Sequence, residues 1–425
     1  MTKDVLIRDL TTEDLNWLND ARPDGVSQAE FLRSVLRKAR ESDAQPNLFD
    51  MAVEPKTVYG SVPFKFIDLF AGIGGFRCGM TALGGKCVFT SEWDKFSNKT
   101  YQTWYGDEDV HTGDIREIDI SAEIPDHDVL CAGFPCQPFS LAGVSKKKSL
   151  GRSHGFEDET QGNLFFKIMD IVDEKRPPVL FLENVKNLRS HDKGNTWGVI
   201  QDCLIERDYS IFSRIIDARS WVPQHRERIF IVCFDREIFG REDEINFQFP
   251  EPPEGEDPTL SSILEQKEPD QKYMLSEKLW KYLQDYAEKH RKKGNGFGYS
   301  LFGGSDVART LSARYHKDGS EILIDQPRWE NPRRLTPLEA RRLMGFDDRY
   351  ARLFGHQDGF PQVVSDTQAY RQFGNAVVPL VVEAVGREIV NTMSSAIIHA
   401  DNSCLLKGRV YAADCGRSRQ GNAQL

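Results

Sequence analysis

A cysteine held between two prolines is the residue in this sequence whose setting points most directly to covalent chemistry. Residues 129–133 form an apolar run typical of a buried strand, and Cys136 follows its end, between Pro135 and Pro138. Proline fixes φ, so the loop that carries the thiol should be stiff. A lone cysteine is most often a small buried hydrophobic residue. The ends of strands are, however, where open α/β sheets place their chemistry, and this position favours a nucleophile.

Charged residues lie at the ends of two further apolar runs. Glu183 comes near the end of the run 178–185, where a carboxylate is poorly suited to a purely structural role in the core. Arg226 and Arg228 open the run that continues to residue 232. Because alternate residues of a strand point to the same face, these two arginines are expected to share one. Pairing of Arg226 with Glu227 is the alternative. The acid and the arginines are therefore candidates to bind or polarise a substrate.

A glycine-rich turn follows the apolar run 64–70 and leads into a predicted helix. Glycines such as Gly72 and Gly74 let the backbone approach a ligand closely. About 20 residues further on, a second predicted strand ends at Glu92, where an acid would bind the hydroxyls of a ribose. The turn is not a strict GxGxxG and offers no phosphate cradle, which favours S-adenosylmethionine over a dinucleotide. Asp114, after the next strand, would accept from an exocyclic amine such as that of adenine.

Basic residues cluster in three segments. The segment 144–152 contains Lys146 and Lys147 and is either a solvated loop or a lid that closes on a phosphate backbone. Segments 289–299 and 309–319, the latter with Arg309 and Arg314, interleave basic and aromatic side chains, which suits contact with nucleic acid. The formal net charge of −10 is no obstacle, because a basic groove can lie on an acidic body.

Composition indicates the class and compartment of the protein. The chain has 425 residues, of which 39% are hydrophobic and 28% charged, as in soluble globular proteins. Its eight cysteines include no CxxC pair, so they are expected to be reduced and to bind no metal. We find no apolar run approaching the roughly 18 residues of a membrane span and no signal peptide. These features predict a cytoplasmic protein without a membrane partner.

Taken in order, the motifs resemble those of bacterial DNA cytosine-5 methyltransferases, of the Dcm/EcoRII-like type. The matching segments are residues 66–75, 92–93, 113–115, 135–137, 183–185, 224–228, 334–337 and 372–375. One departure is Ala376, where the family usually has serine. The loss of one hydroxyl near the cofactor is expected to weaken binding slightly. The resemblance covers about residues 63–395 and implies an α/β fold with a Rossmann-like, S-adenosylmethionine-dependent catalytic domain.

The resemblance also implies roles for individual residues. Cys136 would attack C6 of a cytosine flipped out of duplex DNA, Glu183 in its protonated form would hold N3 and N4, and Arg228 would hold O2. Arg226 would support Glu183 or bind a phosphate. The cofactor contacts of the family map onto Phe70, Gly72, Gly74, Glu92, Trp93, Asp114, Ile115, Pro135 and Asn375. The region 294–324 is similar to recognition regions for CCGG-type or CC(A/T)GG sites, with Arg309 or Arg314 reading a guanine edge.

The expected organisation has six parts. Residues 63–234 and 333–395 would form the catalytic domain, with a smaller target-recognition domain at 235–332, a linker at 46–62 and a loose tail at 396–425. Within the recognition part, residues 241–270 look like a linker or surface excursion. A single helix is predicted over 335–348.

Residues 1–45 carry one strand and two helix-start patterns, which resemble a ribbon-helix-helix module that would pair with a second copy. A helical extension docked on the main domain is the alternative for this segment.

Two other functions remain open at this stage. A DNA-binding regulator acting through residues 1–45 would not need the set Cys136, Glu183 and Arg228. A tRNA cytosine-5 methyltransferase would share those residues but would not need the long variable region at 235–330. Double-stranded DNA is therefore the expected partner. A cognate restriction endonuclease, acting separately, would be a second.

Overall fold

A computed structural model of the protein describes residues 64–106, 110–135, 164–267, 269–326 and 330–402. Cys136, the lysine loop with Lys146 and Lys147, and the expected ribbon-helix-helix module lie outside the described residues.

A seven-stranded sheet organises the larger part of the described chain. Its strand order is β3-β2-β1-β4-β5-β7-β6. All neighbours pair in parallel except β7, which runs antiparallel to both β5 and β6. The strands are β1 (Lys65–Leu69), β2 (Lys86–Glu92), β3 (Val110–Thr112), β4 (Val129–Gly133), β5 (Val179–Val185), β6 (Tyr209–Asp217) and β7 (Glu227–Asp235).

The central strands are apolar on both faces. In β5, Leu180 belongs to one buried cluster and Phe181 to another, and in β1 Ile67 and Phe66 divide in the same way. Because successive strand residues point to opposite faces, each face of the sheet packs against its own apolar layer. This explains why these strands read as continuous hydrophobic runs in the sequence. The expected α/β, Rossmann-like class is confirmed.

Eleven α-helices occur in the described residues. They are α1 (Gly75–Ala82), α2 (Lys95–Tyr105), α3 (Ile120–Glu123), α4 (Leu164–Lys175), α5 (Asn195–Ile205), α6 (Arg236–Phe239), α7 (Glu277–Lys292), α8 (Pro337–Leu343), α9 (Asp348–Leu353), α10 (Asp366–Asn375) and α11 (Pro379–Asn402). None of these helices has the length and apolar composition needed to cross a bilayer.

Three expectations about elements were wrong. The helix predicted over 335–348 is two helices, because Gly345 adopts a left-handed φ of 75° between them and Asp347 caps α9. Residues 396–402, expected to belong to a loose tail, are helical, since α11 continues to Asn402. The segment 241–270 is more than a surface excursion, because Phe247 and Leu260 are buried in the main apolar cluster.

A small sheet joins the region expected to recognise DNA to the first residues of the second catalytic segment. Its order is β10-β9-β8, with β8 (Leu301–Phe302) parallel to β9 (Leu323–Ile324) and β10 (Arg333–Arg334) antiparallel to β9. Leu323 of β9 packs with Leu283 of α7 and with Leu275 in a separate apolar cluster. Helix α7 extends to Lys292, so the basic run that begins at residue 289 starts in the last turn of this helix.

Candidate active site

The sheet topology brings the sequence-predicted site residues to one edge. The order reverses at β1, with β2 on one side and β4 on the other, and ligands of open α/β sheets bind at such a reversal. Strands β1, β2, β4 and β5 are parallel, so they all end at this edge. Strand β7 is antiparallel and begins there, with Arg228 paired opposite Val185. The antiparallel strand thus places its first arginine beside the ends of the parallel strands.

The glycine turn after β1 combines a packed glycine with an open one. Phe70, Gly72 and Gly74 all have left-handed φ angles, of 56°, 57° and 79°. A Cβ added to Gly74 would lie 2.5 Å from the ring of Tyr105, so this glycine is required for packing. A Cβ added to Gly72 would meet nothing within 4 Å, so the turn leaves space there for a ligand.

Glu92 ties the end of β2 to this turn. One carboxylate oxygen accepts from the N–H of Gly72 at 2.8 Å, and the other accepts from the N–H groups of Trp93 and Asp94 at 2.9 and 2.7 Å. Burial raises the pKa of Glu92, while these N–H donors act in the opposite direction. The indole of Trp93 next to it is 77% exposed. A carboxylate acceptor beside open space and an exposed aromatic face fit the ribose and base of a nucleoside.

The carboxylate of Asp114, expected to accept from an exocyclic amine, already accepts hydrogen bonds from Arg116. Its carboxylate accepts from Nε of Arg116 at 2.9 and 2.8 Å and from the Arg116 backbone N–H at 3.0 Å, which caps a short 3₁₀ helix (Ile115–Glu117). The bond from Arg116 holds the pKa of Asp114 below its usual value. An exocyclic amine would have to share this carboxylate with Arg116. Ile115 is buried.

Glu183 and Arg228 form an ion pair at the site edge. Nε of Arg228 lies 3.1 Å from Oε1 of Glu183, and the two side chains are only 17% and 12% exposed. Burial raises the pKa of Glu183, while the charges of Arg228 and Arg226 oppose that rise. Gly133, at the end of β4, faces Glu183 in the strand register, and a Cβ there would be 3.6 Å from Glu183 Oε2. The pair therefore lies beside the strand end that leads to Cys136.

Arg226 does not lie where the sequence suggested. It precedes β7, is 2% exposed, and donates to the carbonyl oxygens of Leu311 at 3.0 Å, Gly374 at 3.0 Å and Ala376 at 2.7 Å. Burial lowers its pKa to about 9. A guanidinium enclosed in this way has no access to a phosphate, so that part of the prediction was wrong. Its charge acts on Glu183 from within the protein, and its hydrogen bonds join three separate segments.

The segment after α10 packs against the glycine turn. Asn375, the last residue of α10, is exposed. A Cβ on Gly75 would lie 2.5 Å from Val377, which shows how closely residues 375–377 approach the start of α1. Asn375 thus lies near the glycine turn, and its contact with the cofactor stays a prediction.

Residues of the expected recognition region are tied to the strand that carries the arginines. The His225 N–H donates to the Ala308 carbonyl at 2.8 Å, and Thr310 Oγ1 donates to the His225 carbonyl at 2.6 Å. Arg309 and Arg314 are exposed, although Arg309 Nη1 donates to Ser300 Oγ at 3.1 Å. Both arginines are therefore available to DNA.

Sequence reasoning did not single out Gln224. This buried amide accepts from the Leu311 N–H at 2.8 Å and donates to the Leu343 carbonyl at 3.1 Å. It thus links the entry to β7, the recognition region and α8. Its place in the motif 224–228 was the only available signal, because hydrogen-bond partners so distant in sequence leave no local pattern.

Comparisons with known proteins identify the family. Residues 64–391 match the family described as C-5 cytosine-specific DNA methylase. A DNA-cytosine methyltransferase of Escherichia coli K12 is 42% identical, over 89% of this chain and 90% of its own. The Type II methyltransferase M.NlaX of Neisseria lactamica is 46% identical, over 78% and 98%.

Solved structures share the fold. A variant of DNMT2 from Spodoptera frugiperda aligns with a TM-score of 0.58 at 21% identity, covering 77% of this chain and 99% of its own. The chain belongs to the C-5 cytosine-specific DNA methylases, which are enzymes that use S-adenosylmethionine.

Proposed function

We propose that this DNA cytosine-5 methyltransferase works through a covalent bond between Cys136 and C6 of a cytosine flipped out of the duplex. The observation that carries the proposal is the largely buried ion pair of Glu183 and Arg228. Glu183 lies opposite Gly133, the last residue of β4, which is three residues before Cys136. A base within a duplex is unreachable, so flipping must precede the chemistry.

Each residue of this set has a separate task. The Cys136 thiolate adds to C6, and the electron pair of the C5–C6 bond moves toward C5. Protonated Glu183 donates to N3 and accepts from the N4 amine, while Arg228 donates to O2. S-Adenosylmethionine supplies an electrophilic methyl group on a sulfonium. After transfer to C5, a base removes the C5 proton, the Cys136–C6 bond breaks, and the thiolate is regenerated.

The residues around the glycine turn would hold the methyl donor. Glu92 would accept from the ribose hydroxyls, Trp93 would contact the adenine, and the open space at Gly72 would admit the ligand. Phe70, Gly74, Asp114, Ile115, Pro135 and Asn375 complete the proposed contacts. Gly74 acts through its packing on Tyr105, and Asp114 shares its carboxylate with Arg116.

The proposed substrate is a DNA site containing CC and GG, with Arg309 or Arg314 reading a guanine edge. Lys146 and Lys147 would contact phosphates. The similarity to proteins named Type II methyltransferases supports a role in restriction-modification, with a cognate endonuclease acting separately in the cytoplasm.

Bisulfite sequencing tests site and mechanism together. DNA from cells that express the protein should contain methylated cytosines in sites with CC and GG, whereas Cys136→Ser should leave DNA unmethylated because an alcohol is far less nucleophilic at neutral pH. Electrophoretic binding assays should show that the variant still binds the same duplex. Full methylation by Cys136→Ser would refute the covalent mechanism. Methylation confined to AT-rich or GATC-like sites would refute the proposed specificity.

A further inference from the structure

Asn184 makes two hydrogen bonds that connect the end of β5 to the segment leading to Cys136. Its side chain is buried; Nδ2 donates to the Phe134 carbonyl at 2.8 Å, and Oδ1 accepts from the Val185 N–H at 2.8 Å. Both ends of the amide are thus engaged, and the assignment of its nitrogen and oxygen follows from these partners.

The first of these bonds extends the pairing of β4 with β5 beyond the sheet. The last register pair of the two strands is Gly133 with Glu183. One residue beyond this pair, the backbones of Phe134 and Asn184 are no longer paired. The Asn184 side chain donates to the Phe134 carbonyl instead. The acceptor lies two residues before Cys136, while the donor is the immediate neighbour of Glu183.

We infer that Asn184 is a positioning residue: it holds the backbone at Phe134, two residues before Cys136, in place relative to Glu183, so that thiolate and bound base can meet in attacking geometry. This inference rests on the proposed role of Cys136. Without the hydrogen bond from Asn184, the backbone at Phe134 could shift and place the sulfur less reliably over C6. A misplacement by about 1 Å lowers a rate by about 100-fold. The Asn184 side chain is 2% exposed, and the proposal assigns it no contact with base or cofactor.

The test is Asn184→Asp, which keeps the size of the side chain and its acceptor for Val185 but turns an oxygen toward the Phe134 carbonyl. We expect kcat, and the rate of covalent trapping on duplex DNA containing 5-fluorocytosine, to fall together by about 100-fold. The KM values for DNA and for S-adenosylmethionine should not change. Asn184→Ala removes both hydrogen bonds without burying a charge and should give the same pattern if the aspartate variant does not fold.

Asn98 provides a matched control. It is a second buried asparagine, and its Nδ2 donates to the Glu92 carbonyl at 2.9 Å, at the end of β2. Asn98→Asp should raise the KM for S-adenosylmethionine, whereas its effect on trapping should be small.

Asn184 variants with a lower melting temperature but an unchanged trapping rate would overturn the inference and leave Asn184 a purely structural residue. Cys136→Ser distinguishes a failure of the proposed covalent mechanism from a failure of the positioning role of Asn184. If that variant abolishes trapping while both Asn184 variants trap normally, the proposed mechanism stands and only the positioning role fails.

Discussion

The buried pair of Glu183 and Arg228 determines the pH range in which the site can work. In the proposed mechanism Glu183 donates to N3 and must therefore carry a proton. Burial raises its pKa, which favours that form, although the nearby arginine charges limit the rise. The neutral acid exists below the folded-state pKa and is lost as the pH rises through it. Activity should accordingly fall on the alkaline side.

Glu183→Gln tests this assignment. The amide stays neutral at every pH and can still donate to N3 and accept from N4, so the alkaline fall in kcat should disappear. Near neutral pH, kcat should be about 100-fold lower because proton transfer to N3 is lost. The measurement is a pH profile of kcat at saturating DNA. Glu227→Gln, which removes an exposed partner of Lys186, is the control and should keep the normal profile. If kcat of Glu183→Gln still falls at alkaline pH, the fall is caused by the titration of another group.

At this scale the sequence predicted which residues matter better than where they lie. Glu183 and Glu92 follow apolar runs that are strands, so their place at the sheet edge could be predicted from the pattern alone. Arg226 was expected to share a face with Arg228, and both line one small cavity and act by their charges on Glu183. The alternation of faces did not show how completely Arg226 is buried. Its partners at Leu311, Gly374 and Ala376 are long-range contacts that a periodicity cannot show.

At the scale of elements, close backbone approaches hold the recognition region against the catalytic core. A Cβ on Gly374, near the end of α10, would collide with the backbone of Ser312 and Ala313. Nearby, Arg226 donates to the Gly374 and Leu311 carbonyls. The end of α10, the entry to β7 and residues 311–313 therefore form one joint.

Gly374→Ala should open that joint. The added methyl group cannot fit without moving backbone, and such overpacking costs about 1–3 kcal/mol. The free energy of unfolding in denaturant should fall by that amount, and the methylation rate should fall too because Arg226 loses its geometry. Gly198→Ala, in the interior of α5 where a Cβ would meet nothing within 4 Å, is the control and should stabilise by roughly 0.5–1 kcal/mol. Equal stabilities for the two variants would contradict the packing argument.

Strands were easier to predict than helices. The runs 64–70, 87–92, 129–133 and 178–185 all coincide with observed strands to within a residue or two, since a strand covered on both faces must be apolar throughout. Helix α7 was missed, because it buries only Leu283 fully and its last turn is a run of basic residues typical of a loop. Its outer face carries the exposed Tyr282, and Phe297 is exposed in the segment that follows.

At the scale of the whole molecule, the family match covers residues 64–391 and leaves residues 1–45 outside it. Residues 1–45 stay a hypothesis. If they form a ribbon-helix-helix, the free protein should dimerise through them and bind its own promoter, at an operator unrelated to the methylated site.

Deletion of residues 1–48 should leave methylation intact and remove both dimerisation and any promoter footprint. Light scattering at micromolar concentration and footprinting measure these effects, with the full-length protein as the reference. A truncated protein that still dimerises, or a full-length protein that is monomeric, would favour the alternative of a docked extension.

The hydrogen bonds between residues 223–225 and 308–311 bear on the fidelity of the enzyme. Arg309 lies between two residues that are bonded to the backbone of His225, and Arg226 is the next residue along the chain. If Arg309 reads the site as proposed, a recognition segment displaced by a wrong base pair would disturb the peptide that leads through Arg226 to Arg228, the arginine proposed to hold the cytosine. Errors would then be rejected by slower turnover on an occupied site, as in induced fit, and not by weaker binding alone. Such an enzyme can bind a wrong DNA sequence without methylating it.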